Sequence, residues 1–206
     1  MTDRVELFKA AYPNWPAAWP TLVKEDGHDV LYATWCLGAQ YGNDTPYYGS
    51  YPRGYLTRIA ALFPTPPRTL RDRRVPVVDV LHVFSGSLPA SPAYVRLDSN
   101  RDLGADVTGS VYDVERLFLG ARRFRLLLAD PPYSAADAEK YATPMVDRGR
   151  ATVALAGVTK PGGHLVWLDV CWPMHRKAQW RTVGRITIIR STNHRVRCAT
   201  IFERVA

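Results

Sequence analysis

Apolar positions follow two different patterns along the chain, and the patterns meet near residue 75. Up to about Pro67 helical spacing is found mainly at Val5 to Ala11 and Tyr55 to Phe63, among stretches rich in aromatic residues, Pro and Gly. This predicts helices and loops without strands, the second helix being stopped by Pro64, Pro66 and Pro67. Beyond that point short apolar runs recur between polar or Gly/Pro breaks, at Val78 to Phe84, Ala93 to Leu97, Ala105 to Val107, Phe124 to Ala129 and Gly163 to Asp169. Runs that are apolar on both faces are what buried parallel strands require. The segment Ser134 to Thr159 has room for a helix, and Lys160-Pro161-Gly162-Gly163 is a turn into the next strand. Leu88 to Ala93 is short and broken by proline, so the first crossover helix is expected to shrink to a turn. Val183 to Ile189 and Val196 to Phe202 are joined too closely for a crossover and predict a terminal antiparallel hairpin.

The expected fold class is therefore α/β, a Rossmann-like, mostly parallel sheet with a C-terminal antiparallel hairpin and an N-terminal helical and loop extension. Residues 1–67 read as a segment packing on a core of residues 68–206, one structural domain in all. A length of 206 residues and 47% hydrophobic content agree with a single core. Met1 to Lys9 is polar and no later stretch is a long uncharged apolar run, which predicts a soluble, cytoplasmic protein with no membrane partner. Cys36, Cys171 and Cys198 are scattered and have no ligand-spaced companions, so neither disulfides nor a metal site is expected.

The net charge of +8 changes the picture of partners. Arginine dominates, with clusters at Arg68 to Arg74, Arg122 to Arg125, Arg176 to Arg185 and Arg190 to Arg204. Excess cation favours a polyanion such as nucleic acid through phosphate neutralisation, although a solvated basic face has the same composition.

Chemistry concentrates in four places. The strand from Val78 runs into Phe84-Ser85-Gly86-Ser87, a small-residue turn that lets backbone approach a ligand at the carboxyl end of a strand. Asp98 ends the following run and is placed to accept from ribose hydroxyls in a nucleoside site. Leu126-Leu127-Leu128-Ala129 leads into Asp130-Pro131-Pro132-Tyr133, where two prolines make a rigid extended turn directly after a buried strand. The amine of a base is a poor nucleophile because its lone pair is delocalised into the ring. A carboxylate at Asp130 and a carbonyl at Pro131, each accepting one amine hydrogen, would draw the nitrogen towards tetrahedral geometry, and Tyr133 would offer an aromatic face. The aromatic loop Tyr47 to Tyr55 precedes the strand from Val78, with Tyr51 or Tyr55 able to form a wall, and Cys171 to Trp180 is a basic, aromatic loop suited to phosphates or a neighbouring base. Plain packing accounts equally for the first, and the second is more often a helix cap and a solvated patch.

VLHVFSGS, RLDSN, LLADPPY and PGGHLVWLD, in that order, resemble the cofactor and catalytic motifs of class I S-adenosylmethionine-dependent methyltransferases. From Val77 to Arg204 the chain looks like a small phage or bacterial DPPY-type DNA amino-methyltransferase, acting on adenine N6 or cytosine N4. The resemblance implies S-adenosyl-L-methionine held at Phe84, Ser85, Gly86, Ser87 and Asp98, with Tyr51 and Asp130 at its reactive end. Ser110 stands where many relatives place an acid for the cofactor adenine, with Asp106 and Asp113 on either side. It implies amine chemistry at Asp130, Pro131, Pro132 and Tyr133, with DNA adenine preferred. The rivals are guanine N2 in RNA and a non-catalytic nucleic-acid-binding protein on the same fold. No insertion is long enough for a recognition domain, so recognition is left to short loops, the N-terminal segment, a homodimer or a partner subunit, or is slight.

Overall fold

The computed structural model describes residues 1–38, 51–64, 78–120, 124–191 and 194–205. The apolar runs of the second part form β3 (Val80–Val83), β4 (Val95–Asp98), β5 (Val107–Thr108), β6 (Phe124–Ala129), β7 (Thr159–Asp169), β8 (Trp180–Arg190) and β9 (Val196–Arg204). β3 pairs in parallel with both β4 and β6, β4 with β5, and β6 with β7, while β9 lies antiparallel between β7 and β8. The chain thus winds outward from β3 to β5, returns to β6 and winds outward the other way. This is a Rossmann-like, mostly parallel sheet with a C-terminal antiparallel hairpin, and its direction of winding reverses between β3 and β6. In such sheets ligands bind at that reversal, beyond the carboxyl ends of the strands.

The first third departs from the expectation of helices and loops without strands. Thr21–Glu25 (β1) and His28–Leu37 (β2) form an antiparallel hairpin, and β2 pairs in parallel with β8, so the sheet has the order β1-β2-β8-β9-β7-β6-β3-β4-β5. The cause is local and visible in the sequence. Asp26 and Gly27 both adopt positive φ, 46° and 79°, the conformation of a tight two-residue hairpin turn for which Asp-Gly is a strong signal. Leu31, Trp35 and Leu37 recur at intervals of two on the buried face, with Ala33 between them.

Helices cover the two faces separately. α1 (Thr2–Ala11) and α2 (Tyr55–Leu62) bring Phe8, Tyr55 and Ile59 onto the face carrying Trp35, Leu128 and Val166. α3 (Val114–Leu117) and α5 (Arg148–Val158) bring Val114 and Leu155 onto the opposite face, against Leu127, Leu165 and Trp167. Neighbours in β6 and β7 therefore bury to opposite sides, which is why Leu126 to Ala129 and Leu165 to Leu168 are unbroken apolar runs. Between β6 and β7 lie two helices, α4 (Ala135–Lys140) and α5, where one was expected. The crossover from β3 to β4 contains no helix. The buried Arg96 takes over its packing: its guanidinium donates to the Leu88 carbonyl (3.0 Å), the Gly104 carbonyl (2.9 Å) and the Asp106 carboxylate (3.0 Å). No helix among the described residues is long and apolar enough to cross a membrane.

Candidate active site

Strand register sets the site. Val83 lies opposite both Leu97 and Ala129, and Ala129 lies opposite Trp167. Phe84, Asp98 and Asp130, each following one of these strand-end residues, are thereby brought together at the carboxyl edge.

The turn after β3 is held in an unusual backbone shape, with Phe84 at φ 58° and Gly86 at φ 55°. A glycine adopts such a value without strain, whereas Phe84 does so at a cost that the surrounding structure must offset. Two contacts hold the turn against β4. The Ser85 N–H donates to the Leu97 carbonyl (3.2 Å) and the Gly86 N–H donates to Asp98 Oδ2 (2.9 Å). Asp98 Oδ1 accepts from the Asn100 N–H (3.0 Å), so the carboxylate braces both loops that border the site. The Ser85 hydroxyl is buried and has no hydrogen-bond partner, an arrangement rare enough in folded proteins to point to a ligand.

Beside this turn lies a small, partly open cleft of about 80 Å³. Phe84, Leu97, Asp98 and Ser110 line it. Its far wall is Thr143 to Val146, which the sequence reading did not single out, and the Ser99 and Thr143 hydroxyls meet across it at 3.1 Å. Ser110 caps a 3-10 turn, its Oγ accepting from the Tyr112 N–H (3.2 Å). Its acidic neighbours are engaged elsewhere: Asp106 is paired to Arg96, and Asp113 lies 3.6 Å from Arg116. The cleft is apolar, with a carboxylate at its rim and a buried, partnerless hydroxyl beside it.

Asp130 stands on the other side of the turn, partly buried, and makes no ion pair among the described residues. Burial pushes its carboxyl up to about 6, against the opposing pull of Arg197 and of the Tyr133 hydroxyl, which donates to Oδ1. The Arg197 guanidinium sits 4.6 Å from the centre of the Tyr133 ring, so one face of the aromatic expected to receive a base is covered by a cation. The loop is fastened from behind. Arg148 grips the fully buried Asp169 through Nε (2.7 Å) and Nη2 (3.1 Å), and Nη2 also donates to the Tyr133 carbonyl (3.2 Å). The Trp167 indole (3.0 Å) and the Val170 N–H (2.7 Å) complete the donors to Asp169. This anchor was missed because its two members are remote in sequence: Asp169 ends the PGGHLVWLD stretch but reads there only as the end of a strand, and Arg148 lies in no motif.

Tyr51 lies beneath the edge instead of lining the cleft. It is buried and stacked on Tyr55 at 5.4 Å, and its hydroxyl faces the Leu128 carbonyl (3.4 Å) and His82 Nδ1 (3.3 Å). Burial lowers His82 to about 4, so it is neutral at physiological pH. The Tyr55 hydroxyl is buried without a partner, and the charge of Asp130 raises its pKa further above the already large effect of burial. Gly49 and Ser50 of the same loop lie outside the described residues.

No family model matches the chain, and no curated protein does. Among solved structures, TrmN from Thermus thermophilus overlaps 61% of this chain at 12% identity with a TM-score of 0.43. The overlap spans 43% of that protein, less than half its length, and a likeness this distant carries no argument about chemistry.

Proposed function

We propose that the protein is an S-adenosylmethionine-dependent methyltransferase acting on the exocyclic amine of a nucleic-acid base, with adenine N6 in DNA as the preferred target. The observation that carries this reading is Asp130: a partly buried carboxylate without an ion pair among the described residues, next to the turn that borders an apolar cleft. The cofactor, when bound, supplies an electrophilic methyl group. Phe84, Leu97 and Ser110 would hold its adenosine, Asp98 its ribose, and the Ser85 hydroxyl its polar end.

The chain's own groups then act on the amine. Asp130 and the Pro131 carbonyl accept its two hydrogens, which localises the lone pair on nitrogen and aims it towards the turn. A carboxyl with a pKa of about 6 is ionised at neutral pH yet basic enough to take the proton released as the new carbon–nitrogen bond forms. Arg148, holding the Tyr133 carbonyl, keeps the two acceptors at a fixed spacing. Tyr133 offers the base a ring already supported by Arg197.

Mass spectrometry of nucleosides from DNA and RNA incubated with isotopically labelled S-adenosylmethionine tests the proposal. Labelled N6-methyladenine in DNA is expected. Labelled N2-methylguanine in RNA would move the target to the rival polymer, and a purified protein that binds the cofactor but labels no nucleoside would refute base methylation.

A further inference from the structure

From Val170 to Phe202 every Asp, Glu, Lys or Arg position is a Lys or Arg. This stretch comprises the loop after β7, all of β8 and most of β9. Arg181 and Arg185 are paired to Glu203 and Glu25, whereas Arg176, Lys177, Arg190 and Arg197 make no ion pair among the described residues. The loop after β7 and the hairpin strands that follow it thus carry cations with no acid between them in the chain.

Within that stretch the loop after β7 also exposes apolar surface, at Val170 (56%), Trp172 (64%) and Met174 (79%). Trp172 is fixed in place. Its indole N–H donates to Cys198 Sγ (3.1 Å), and the Arg185 guanidinium lies 4.7 Å from the ring centre, itself held by Glu25 at 2.7 Å. One ring face is therefore covered and the polar group satisfied, so the exposed area belongs to the rest of the ring. One link ties it to the target loop: Trp172 lies three residues beyond Asp169, which anchors the Tyr133 carbonyl through Arg148.

A fixed aromatic ring with one open face, in a loop whose own charged residues are all cations, matches a planar ring strung on phosphates. We infer that Trp172 is the stacking platform for a nucleobase flanking the target in an unpaired nucleic-acid strand, with the exposed Arg176 and Lys177 of the same loop for the phosphates. The strand is unpaired because a duplex keeps its base faces covered by neighbouring pairs. The inference rests on the proposed reading of a nucleic-acid substrate and adds how that substrate is presented.

Equilibrium titration of the whole protein with fluorescent single-stranded DNA and RNA oligonucleotides, and with a duplex of the same sequence, tests it. Trp172→Ala should weaken single-strand binding about tenfold, Trp172→Phe should retain most of it, and the salt dependence should be unchanged because stacking releases no counterions. An unchanged thermal midpoint would show that the loss is local. A wild-type protein that prefers duplex, or a Trp172→Ala variant that binds as wild type does, overturns the inference while leaving methylation standing. A wild-type protein that binds S-adenosylmethionine but neither binds nor methylates any polymer overturns the nucleic-acid reading as well. The DNA and RNA arms separate the two sources of an unpaired strand.

Discussion

On the β3–β4–β5 side of the carboxyl edge the ligand-facing groups are main-chain amides, hydroxyls and apolar walls. On the β6–β7–β9 side they are ionised side chains held by one another. The first half uses its one carboxylate at the rim, Asp98, to brace backbone N–H groups of two loops, and it turns Asp106 away to pair with Arg96. The second half sets an unpaired Asp130 between Tyr133 and Arg197 and spends its buried pair, Arg148 and Asp169, on holding the loop. A nucleoside is recognised by shape and hydrogen bonds, which a braced backbone supplies with little reorganisation. Moving a proton and receiving a polyanion both need charge that is not already cancelled.

The contrast can be broken most sharply at Asp130. Asp130→Ala should lower turnover by about 10³-fold, the scale of removing a group that acts on the reacting atoms, while calorimetry shows cofactor affinity largely unchanged. A variant that turns over normally would remove the chemistry from this half altogether.

Arg148→Ala comes next. It leaves the buried Asp169 with only the Trp167 and Val170 donors and frees the Tyr133 carbonyl. Breaking a buried pair in this way costs roughly 3 kcal/mol, measurable by urea denaturation. Turnover should fall further than KM rises, because the acceptors lose their spacing. Equal loss in both halves of the edge would show that the anchor serves the fold alone.

Asp130 also predicts a pH dependence. Its folded pKa of about 6 lies above its ordinary value near 3.8, so the folded state binds the proton more tightly. The corresponding stability is present at low pH and is lost as pH rises through about 6. Asp130→Asn, which cannot ionise, should therefore be more stable than wild type at pH 8 by roughly 2 kcal/mol and little different at pH 4. The wild-type rate should climb through pH 6 and level off above it, and the Asn variant should lack that limb.

The smallest effect belongs to the cleft side. Ser85→Ala removes a buried hydroxyl that has no partner, so the unfolding midpoint should move by no more than about 0.5 kcal/mol equivalent. Cofactor affinity should nevertheless drop about threefold if that hydroxyl meets the ligand. An unaltered dissociation constant would show that the orphan has another explanation.

Much of this comparison is written in local sequence. The β6 run and its two prolines place a rigid turn at a strand end, the β3 run places a small-residue turn at another, and the pairing of β8 with β9 follows from their short connection. The β1–β2 hairpin was legible too, in Asp26-Gly27 and in the alternation around Trp35, but the surrounding Pro and aromatic residues obscured it.

What the sequence by itself determined is which segments become strands, helices and rigid turns, because propensity, apolar periodicity and proline geometry act between neighbours in the chain. What only the tertiary structure decided is who meets whom across the sheet: Arg148 with Asp169 and Tyr133, Arg197 over Tyr133, Arg185 under Trp172, and Asp106 drawn off by Arg96. Those contacts depend on strand order and register, which are set by the simultaneous burial of both sheet faces and cannot be read from any one segment.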